Sequence, residues 1–309
     1  MKVLVDTDPG LGLNFADVDD GLALFLMLNN DQFEIEGITT VFGNSPVDKG
    51  HFLLKKYLKL CNRLSIPHFK GAENAQALGN STLASKFLVN EVKEYPNQYI
   101  LIALGPLTNI ATALQKYDSF LDDLKKLVIM GGTLSPQTAF NPLFKIIDRR
   151  FFNKLPLKAL VAEFNFFNDP QATKCVIEAE TKTPRIVMGL DACCKVVFKK
   201  QHLRELLEHS HPITQFIASQ IKFWYNFWLL NGRGGFFPFD TLCPIYLIEP
   251  DLFSIRTFEF TVNTKNLGGK LNITGMGKNP LSSIYYGTGF KDKKAKKDFM
   301  TILMNNLQY

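Results

Sequence analysis

Val3-Leu-Val-Asp6-Thr-Asp8-Pro-Gly10, followed a few residues later by Asp17-Val-Asp19-Asp20-Gly-Leu-Ala-Leu-Phe-Leu-Met-Leu28, decides the reading of this 309-residue chain. The first stretch is a short β-branched and leucine run closed by Pro-Gly, which reads as a strand and its stop. In the second, Asp20 to Leu28 reads as a helix too continuously apolar for an exposed position. The same alternation recurs downstream. Phe33 to Val41 is a strand ending in Gly43-Asn44, and Lys49 to Leu60 is helical. Tyr99 to Leu104 is a strand, followed by Gly105-Pro106 and a helix from about Thr108. Leu127 to Met130 is closed by Gly131-Gly132, Ile186 to Leu190 repeats the pattern, and helices follow from Leu203 and over Ile213 to Leu230. Strands alternating with helices imply an α/β fold with a mostly parallel central sheet flanked by helices, Rossmann-like in plan. Runs such as Ile100 to Leu104 suit strands buried on both faces. With no repeat and no Gly/Ser linker, one domain over residues 1–309 is the simplest expectation.

In such sheets ligands sit beyond the carboxyl ends of the strands. Those ends carry Asp6 and Asp8, Asn44, Leu104-Gly105 and Met130-Gly-Gly. Glycines there are also ordinary turn formers. Asp6, Asp8, Asp17, Asp19 and Asp20 fall close together, and Asp6 and Asp8, two apart, are expected on one face. Asp17 reads as an N-cap, with Asp19 and Asp20 complementing the helix dipole. That accounts for neither Asp6 nor Asp8. Converging carboxylates repel, and need a cation or protonation. Hard oxygen donors favour Ca²⁺ or Mg²⁺ over zinc, and the five scattered histidines offer no alternative set. Spacing by itself reaches a divalent cation at a sheet rim and no further.

Composition narrows the class. Net charge is +6, with Lys291, Lys293, Lys294, Lys296 and Lys297 clustered near the C-terminus. A solvated helix face explains them better than a nucleic-acid patch, because no aromatic residues are interleaved. Five cysteines without a C-x-x-C suggest reduced thiols rather than a disulfide framework. Met-Lys leads straight into a strand, without a signal-peptide pattern, and no apolar run is long enough to span a bilayer; a soluble cytoplasmic protein is expected.

Taken in order, the blocks resemble the inosine-uridine nucleoside hydrolase family. Val-Leu-Val-Asp6-Thr-Asp8-Pro-Gly is similar to its opening signature, and Asp19-Asp20-Gly-Leu-Ala-Leu to its second block. Gly37-Ile-Thr-Thr-Val-Phe-Gly-Asn44, Leu104-Gly-Pro-Leu-Thr-Asn-Ile, Met130-Gly-Gly, Glu163-Phe-Asn165 with Asp169-Pro170, and Asp240 resemble the later blocks. The resemblance implies Ca²⁺-dependent hydrolysis of the N-glycosidic bond of ribonucleosides, in a homodimer or homotetramer. It implies that Asp8, Asp20 and Asp240 bind Ca²⁺ with the backbone carbonyl of Leu104, and that Asp6 is a close neighbour. Two ribose hydroxyls and a water complete the shell, and Asp8 takes a proton from that water. Asp19 and Asn44 hold the ribose diol, Glu163 and Asn165 bind the far hydroxyls, and Met130 packs under the sugar ring.

Three departures from the pattern stand out. Seven more residues than in the family's short signature separate Gly10 from Asp19-Asp20, so Leu11 to Val18 must loop out and return, with Gly10 and Gly12 making the excursion feasible. Phe239 stands before Asp240, where many members have a proton-donating histidine and purine-specific ones a tryptophan. Phenylalanine stacks but donates no proton; with Trp224 and Trp228, four apart on one helix face, it would form an aromatic slot and a purine preference, although core packing accounts better for the tryptophans. Between Thr133 and Leu160 the polar segment is missing, and Arg149, Arg150, Phe151 and Phe152 stand there instead. Two other readings compete. In a haloacid dehalogenase-like phosphatase Asp6 would be nucleophile, Asp8 acid/base and Asp191 a late carboxylate. A nucleoside-binding protein that kept the cation site and lost catalysis is the other.

Overall fold

The five strands expected from apolar runs lie side by side in the computed structural model, which describes residues 1–134, 163–230, 232, 234–265 and 268–309. In chain order the strands are β1 Lys2–Thr7, β2 Glu34–Thr40, β3 His68–Lys70, β4 Ile100–Ala103, β5 Lys126–Met130, β6 Arg185–Met188, β7 Phe198–Lys199, β8 Gly235–Phe236, β9 Phe253–Asn263, β10 Lys270–Gly275 and β11 Ile284–Phe290. The helices are α1 Asp19–Leu28, α2 Val47–Leu60, α3 Leu83–Glu94, α4 Thr108–Lys116, α5 Phe164–Asn168, α6 Pro170–Ile177, α7 Leu190–Cys193, α8 Lys200–Glu208, α9 Pro212–Leu230, α10 Leu242–Ile248 and α11 Lys293–Leu307. Leu190, expected as the end of a strand, instead opens α7.

The main sheet has nine strands in the order β10-β9-β11-β6-β5-β4-β1-β2-β3. From β11 to β3 every neighbouring pair is parallel; β9 and β10 join antiparallel at one edge. Side chains alternate across the parallel strands, as a period of two requires. Val3, Val5, Ile100, Ile102, Val128 and Ile186 enter one core layer with α1, α2 and α9. Leu4, Leu101, Leu127, Ile129 and Val187 enter the other with α3, α4 and α6. α1 is buried at every position, which accounts for its unbroken apolar run.

Strand order reverses at β1, which has β2 on one side and β4 on the other. Loops leaving the carboxyl ends of β1 and β4 turn opposite ways, and a crevice opens between them.

At the far end of the sheet, Arg185 is wholly buried and has no carboxylate partner among the described residues. Its guanidinium donates to the carbonyls of Val176 and Ile177, closing the C-terminus of α6, and to Leu281 at 3.0 Å. Burial alone lowers its pKa to about 10. Arg185→Met would strand these carbonyls in the interior. At roughly 1–3 kcal/mol per buried unsatisfied group, the two buried α6 carbonyls set an expected loss of about 2–6 kcal/mol in urea unfolding. An unchanged midpoint would show that water replaces the guanidinium.

The C-terminal lysines fall at the start of α11, where Lys291, Lys293, Lys294 and Lys297 are exposed while Ala295 and Phe299 face the core. All five cysteines are free thiols. Among the described residues no helix is long and apolar enough to cross a membrane.

Candidate active site

The crevice at the β1/β4 reversal is a cavity of about 350 Å³, within the usual range for small-molecule sites. Asp8 enters from the end of β1, Asn44 from beyond β2, Leu104 from β4 and Met130 from β5. Asp19 and Asp20 come from the first turn of α1, Glu163 and Asn165 from the start of α5. The C-terminal half of the chain supplies Trp224 and Trp228 on α9, with Phe239 and Asp240 on the short 3-10 turn Phe239–Thr241.

Asp6 is the exception. It does not line the cavity; its Oδ1 accepts from Thr39 Oγ1 at 2.6 Å and Asn109 Nδ2 at 2.8 Å, while Oδ2 is buried without a partner. The expectation that Asp6 and Asp8 share a face rests on continued β alternation. β1 ends at Thr7, so Asp8 lies beyond the strand. Asp17 is not the N-cap of α1 either: Val18 occupies that position, and the Asp17 carboxylate accepts from the Val18 N–H at 2.7 Å. Asp17 lines the cavity, as do Phe15, Phe164 and Leu190, none of which the sequence patterns single out as ligands.

Asp19, Asp20 and Asp240 each place a carboxylate oxygen within 4.8 Å of the others. Asp8 lies against this group but is turned. Its Oδ2 accepts the Asn44 N–H at 2.6 Å, in a niche roofed by Gly43 and Gly105. A Cβ on Gly43, which sits at φ +152, would come within 2.0 Å of that carboxylate, and one on Gly105 within 2.8 Å. Asp20 accepts from Thr7 Oγ1 and, at 3.1 Å, from the Asp8 N–H.

The two amides and Glu163 are largely occupied by protein. The Asn44 side chain takes the Asp17 N–H at 2.7 Å and donates to the Asp17 carbonyl at 3.0 Å and to Asp20 at 3.2 Å. It clamps the inserted loop onto the carboxylates. Asn165 Nδ2 donates to the Leu104 carbonyl at 2.7 Å and to the Met130 carbonyl at 3.2 Å, fixing the backbone oxygen expected as a ligand. Glu163 caps α5, accepting from Asn165 N at 2.7 Å and from Phe166 N and Gly132 N at 3.0 Å. These bonds leave Glu163 little free capacity toward a sugar.

One wall is aromatic. Trp224 and Trp228 are 9% and 7% exposed and belong to the core, yet both line the cavity. Their rings are 6.1 Å apart and steeply inclined, and Phe237 bridges from Trp228 to Phe239 at 5.7 Å on each side.

Electrostatics separate the two walls. Burial first, and then mutual repulsion, push Asp8, Asp19 and Asp240 well above the usual carboxylate range; burial also raises Asp20. Among the described residues no lysine, arginine or histidine forms an ion pair with any of them. Buried oxygen donors without a counter-charge fit a hard divalent cation well, and a soft one poorly. Arg149, Arg150, Phe151 and Phe152 lie outside the described residues. Asp191, the late carboxylate a phosphatase would need, is taken by Leu134 N at 2.8 Å and Tyr286 Oη at 2.7 Å and does not line the cavity.

Comparison with known proteins gives the family. The family model for inosine-uridine preferring nucleoside hydrolase matches residues 3–294. A probable uridine nucleosidase 1 of Oryza sativa subsp. japonica is 27% identical over 297 residues, covering 86% of this chain and 82% of the relative. A pyrimidine-specific ribonucleoside hydrolase of Escherichia coli is 26% identical over 289 residues, covering 84% and 82%. Among solved structures, a purine-preferring ribonucleoside hydrolase from Gardnerella vaginalis superimposes with a TM-score of 0.79 at 20% identity, covering 100% of this chain and 99% of the other. This chain belongs to the inosine-uridine preferring nucleoside hydrolase family. It is thereby a metal-dependent hydrolase of N-glycosyl compounds acting on ribonucleosides, and the phosphatase reading falls.

Proposed function

We propose that the chain hydrolyses ribonucleosides to free base and ribose with Ca²⁺, activating the leaving base by aromatic stacking, and that purine nucleosides are the better substrates. The observation carrying this reading is the meeting of Asp8, Asp19 and Asp20 with Asp240, from distant parts of the chain, buried together with no cationic side chain paired to them among the described residues. Asp8, Asp20, Asp240 and the Leu104 carbonyl would hold the ion. When bound, it would orient the ribose diol and make a water easier to deprotonate. Asp8, held by its Asn44 hydrogen bond, would accept that proton. Asp19, beside Asp240, would accept a hydrogen bond from a ribose hydroxyl. Breaking the glycosidic bond builds positive charge on the sugar, which the surrounding carboxylates stabilise.

Among the described residues, those lining the aromatic side bring no histidine to protonate the base. Packing against Phe239 and the two tryptophans takes its place, and the larger purine ring gains more from it. The uridine and pyrimidine nucleosidases among the relatives support the reaction and argue for the opposite base. Base release from inosine, guanosine, uridine and cytidine, with EDTA and after Ca²⁺ is restored, tests both parts. We expect turnover that needs Ca²⁺ and a higher kcat/KM for inosine than for uridine. A uridine preference would overturn the stacking argument alone; nucleoside binding without turnover would overturn the catalytic assignment. The same proposal includes a homodimer or homotetramer, which light scattering would establish.

A further inference from the structure

The insertion that separates this chain from the short family signature also builds part of the cavity. Leu11 to Val18 is pinned at both ends. Leu11 is fully buried, packs on Gly21 of α1, and its carbonyl accepts the Tyr57 hydroxyl. At the other end Asn44 holds both backbone groups of Asp17. Between these anchors Phe15 adopts φ +65, a left-handed conformation disfavoured for a bulky residue. Strain of this kind persists only where the surroundings impose it, and it collects at functional sites.

The result is an aromatic ring 72% exposed that nonetheless lines the cavity. Phe15 meets Phe223 at 5.4 Å and Phe227 at 6.2 Å, each at 83°. Phe227 in turn stacks on Trp224 at 5.2 Å and 15°. The insertion is thus tied through rings to the aromatic wall that Trp224 and Trp228 form. Among the described residues no ring lies face to face on Phe15, so a flat ligand can take that position. Its neighbours in the cavity divide by chemistry: carboxylates on the side of α1 and Asp240, carbon on the side of α9. A nucleoside has the same division, a polyhydroxylated sugar joined to a flat heterocycle.

Resting on the nucleoside reading above, we propose that Phe15 is a specificity-determining residue, an outer aromatic lip supplied by the insertion, against which the purine base of the substrate stacks. It lies on the base side, away from the scissile bond, so it contributes about equally before and during bond breaking. Such binding appears in KM and not in kcat. Its contribution scales with ring area, and so separates purines from pyrimidines.

The chain has two tryptophans, and both line the cavity. Their fluorescence therefore reports directly on base binding, with or without Ca²⁺. The experiment titrates hypoxanthine and uracil into the wild type, Phe15→Ala, Phe15→Gly and Phe15→Tyr in EDTA, and measures KM and kcat for inosine and uridine with Ca²⁺. Loss of a stacked aromatic weakens base binding by about 5- to 150-fold. We expect that range for hypoxanthine with Phe15→Ala and Phe15→Gly, a smaller loss for uracil, a matching rise in the KM of inosine with kcat little changed, and recovery in Phe15→Tyr. Phe15→Gly should melt close to the wild-type temperature, because release of φ +65 offsets the lost contacts with Phe223 and Phe227; that keeps a binding loss distinct from unfolding. Unchanged hypoxanthine affinity and inosine KM in both truncations, with the wild type binding base and turning over, would make Phe15 a bystander. A wild type that releases no base from any nucleoside would instead overturn the function on which the proposal rests.

Discussion

Asp8→Ala is expected to lower kcat by about 10²–10⁴-fold, the usual worth of a general base, with the fold retained. Asp8→Asn is the sharper variant. It preserves the shape of the niche under Gly43 and Gly105, where a larger group would not fit, and removes the ability to take a proton together with one charged ligand of the proposed cation. An amide there can still meet the Asn44 N–H through its oxygen, so stability should change little. Asp240→Ala is expected to be as inactive, through loss of the cation, and its defect should be relieved at high Ca²⁺ further than that of Asp8→Asn, whose missing base no cation restores. Steady-state rates of inosine hydrolysis across a Ca²⁺ titration check this. Wild-type kcat in Asp8→Asn would remove Asp8 from the chemistry.

Chelation should have an effect of similar size, and on stability as well as on rate. Asp6 has its carboxyl raised to about 7 by burial, only partly offset by Thr39 and Asn109, and burial and repulsion raise Asp8, Asp19 and Asp240 further. In the unfolded chain all of these titrate near 4. Between the unfolded and folded values the native state holds more protons, so the metal-free protein loses stability as pH rises from about 4 through 7 and beyond. For Asp6 alone a shift of about three units corresponds to roughly 4 kcal/mol. A cation bound by the ionised carboxylates works in the opposite direction and stabilises by mass action. Melting in EDTA should therefore give a Tm that falls from pH 5 to pH 8. Saturating Ca²⁺ should raise Tm much more at pH 8 than at pH 5, and Mg²⁺ less than Ca²⁺. Superimposable pH profiles with and without Ca²⁺ would show that the carboxylates are not a cation site.

The glycine niche, the Asn44 clamp and the Asn165 hydrogen bond to Leu104 all serve one purpose in this geometry. They hold a repulsive set of carboxylates and one backbone oxygen in fixed positions before any ligand arrives. Preorganised groups of this kind stabilise developing charge without reorganising during the reaction. The arrangement also explains why Asn44 and Glu163, expected as sugar ligands, have so much of their hydrogen-bonding capacity already spent on backbone.

Some elements leave plain signals in the sequence and others do not. β1, β4 and β5 are short continuous apolar runs closed by Gly or Pro, and α1 begins at a carboxylate pair; local chemistry alone marks them. β9 carries a subtler signal than an apolar run, since Phe258, Phe260 and Val262 alternate with polar residues and are all buried. The buried Arg185 has no such signal, because only the approach of α6 and Leu281 gives its guanidinium partners. Phe15 is equally silent: one phenylalanine among 27, it matters through the left-handed turn that lifts it over the cavity.

By itself the amino-acid order determined the parallel α/β plan, the family, and the carboxylates, amides and aromatics that gather at the strand ends. Those follow from period, turn chemistry and spacing, which act between near neighbours. Which carboxylates converge, which one hides behind the wall, and which ring overhangs the base side were decided only when Asp240 and α9 packed against the loop after β1. These are contacts between residues far apart in the chain, and their geometry depends on close packing that no local pattern encodes.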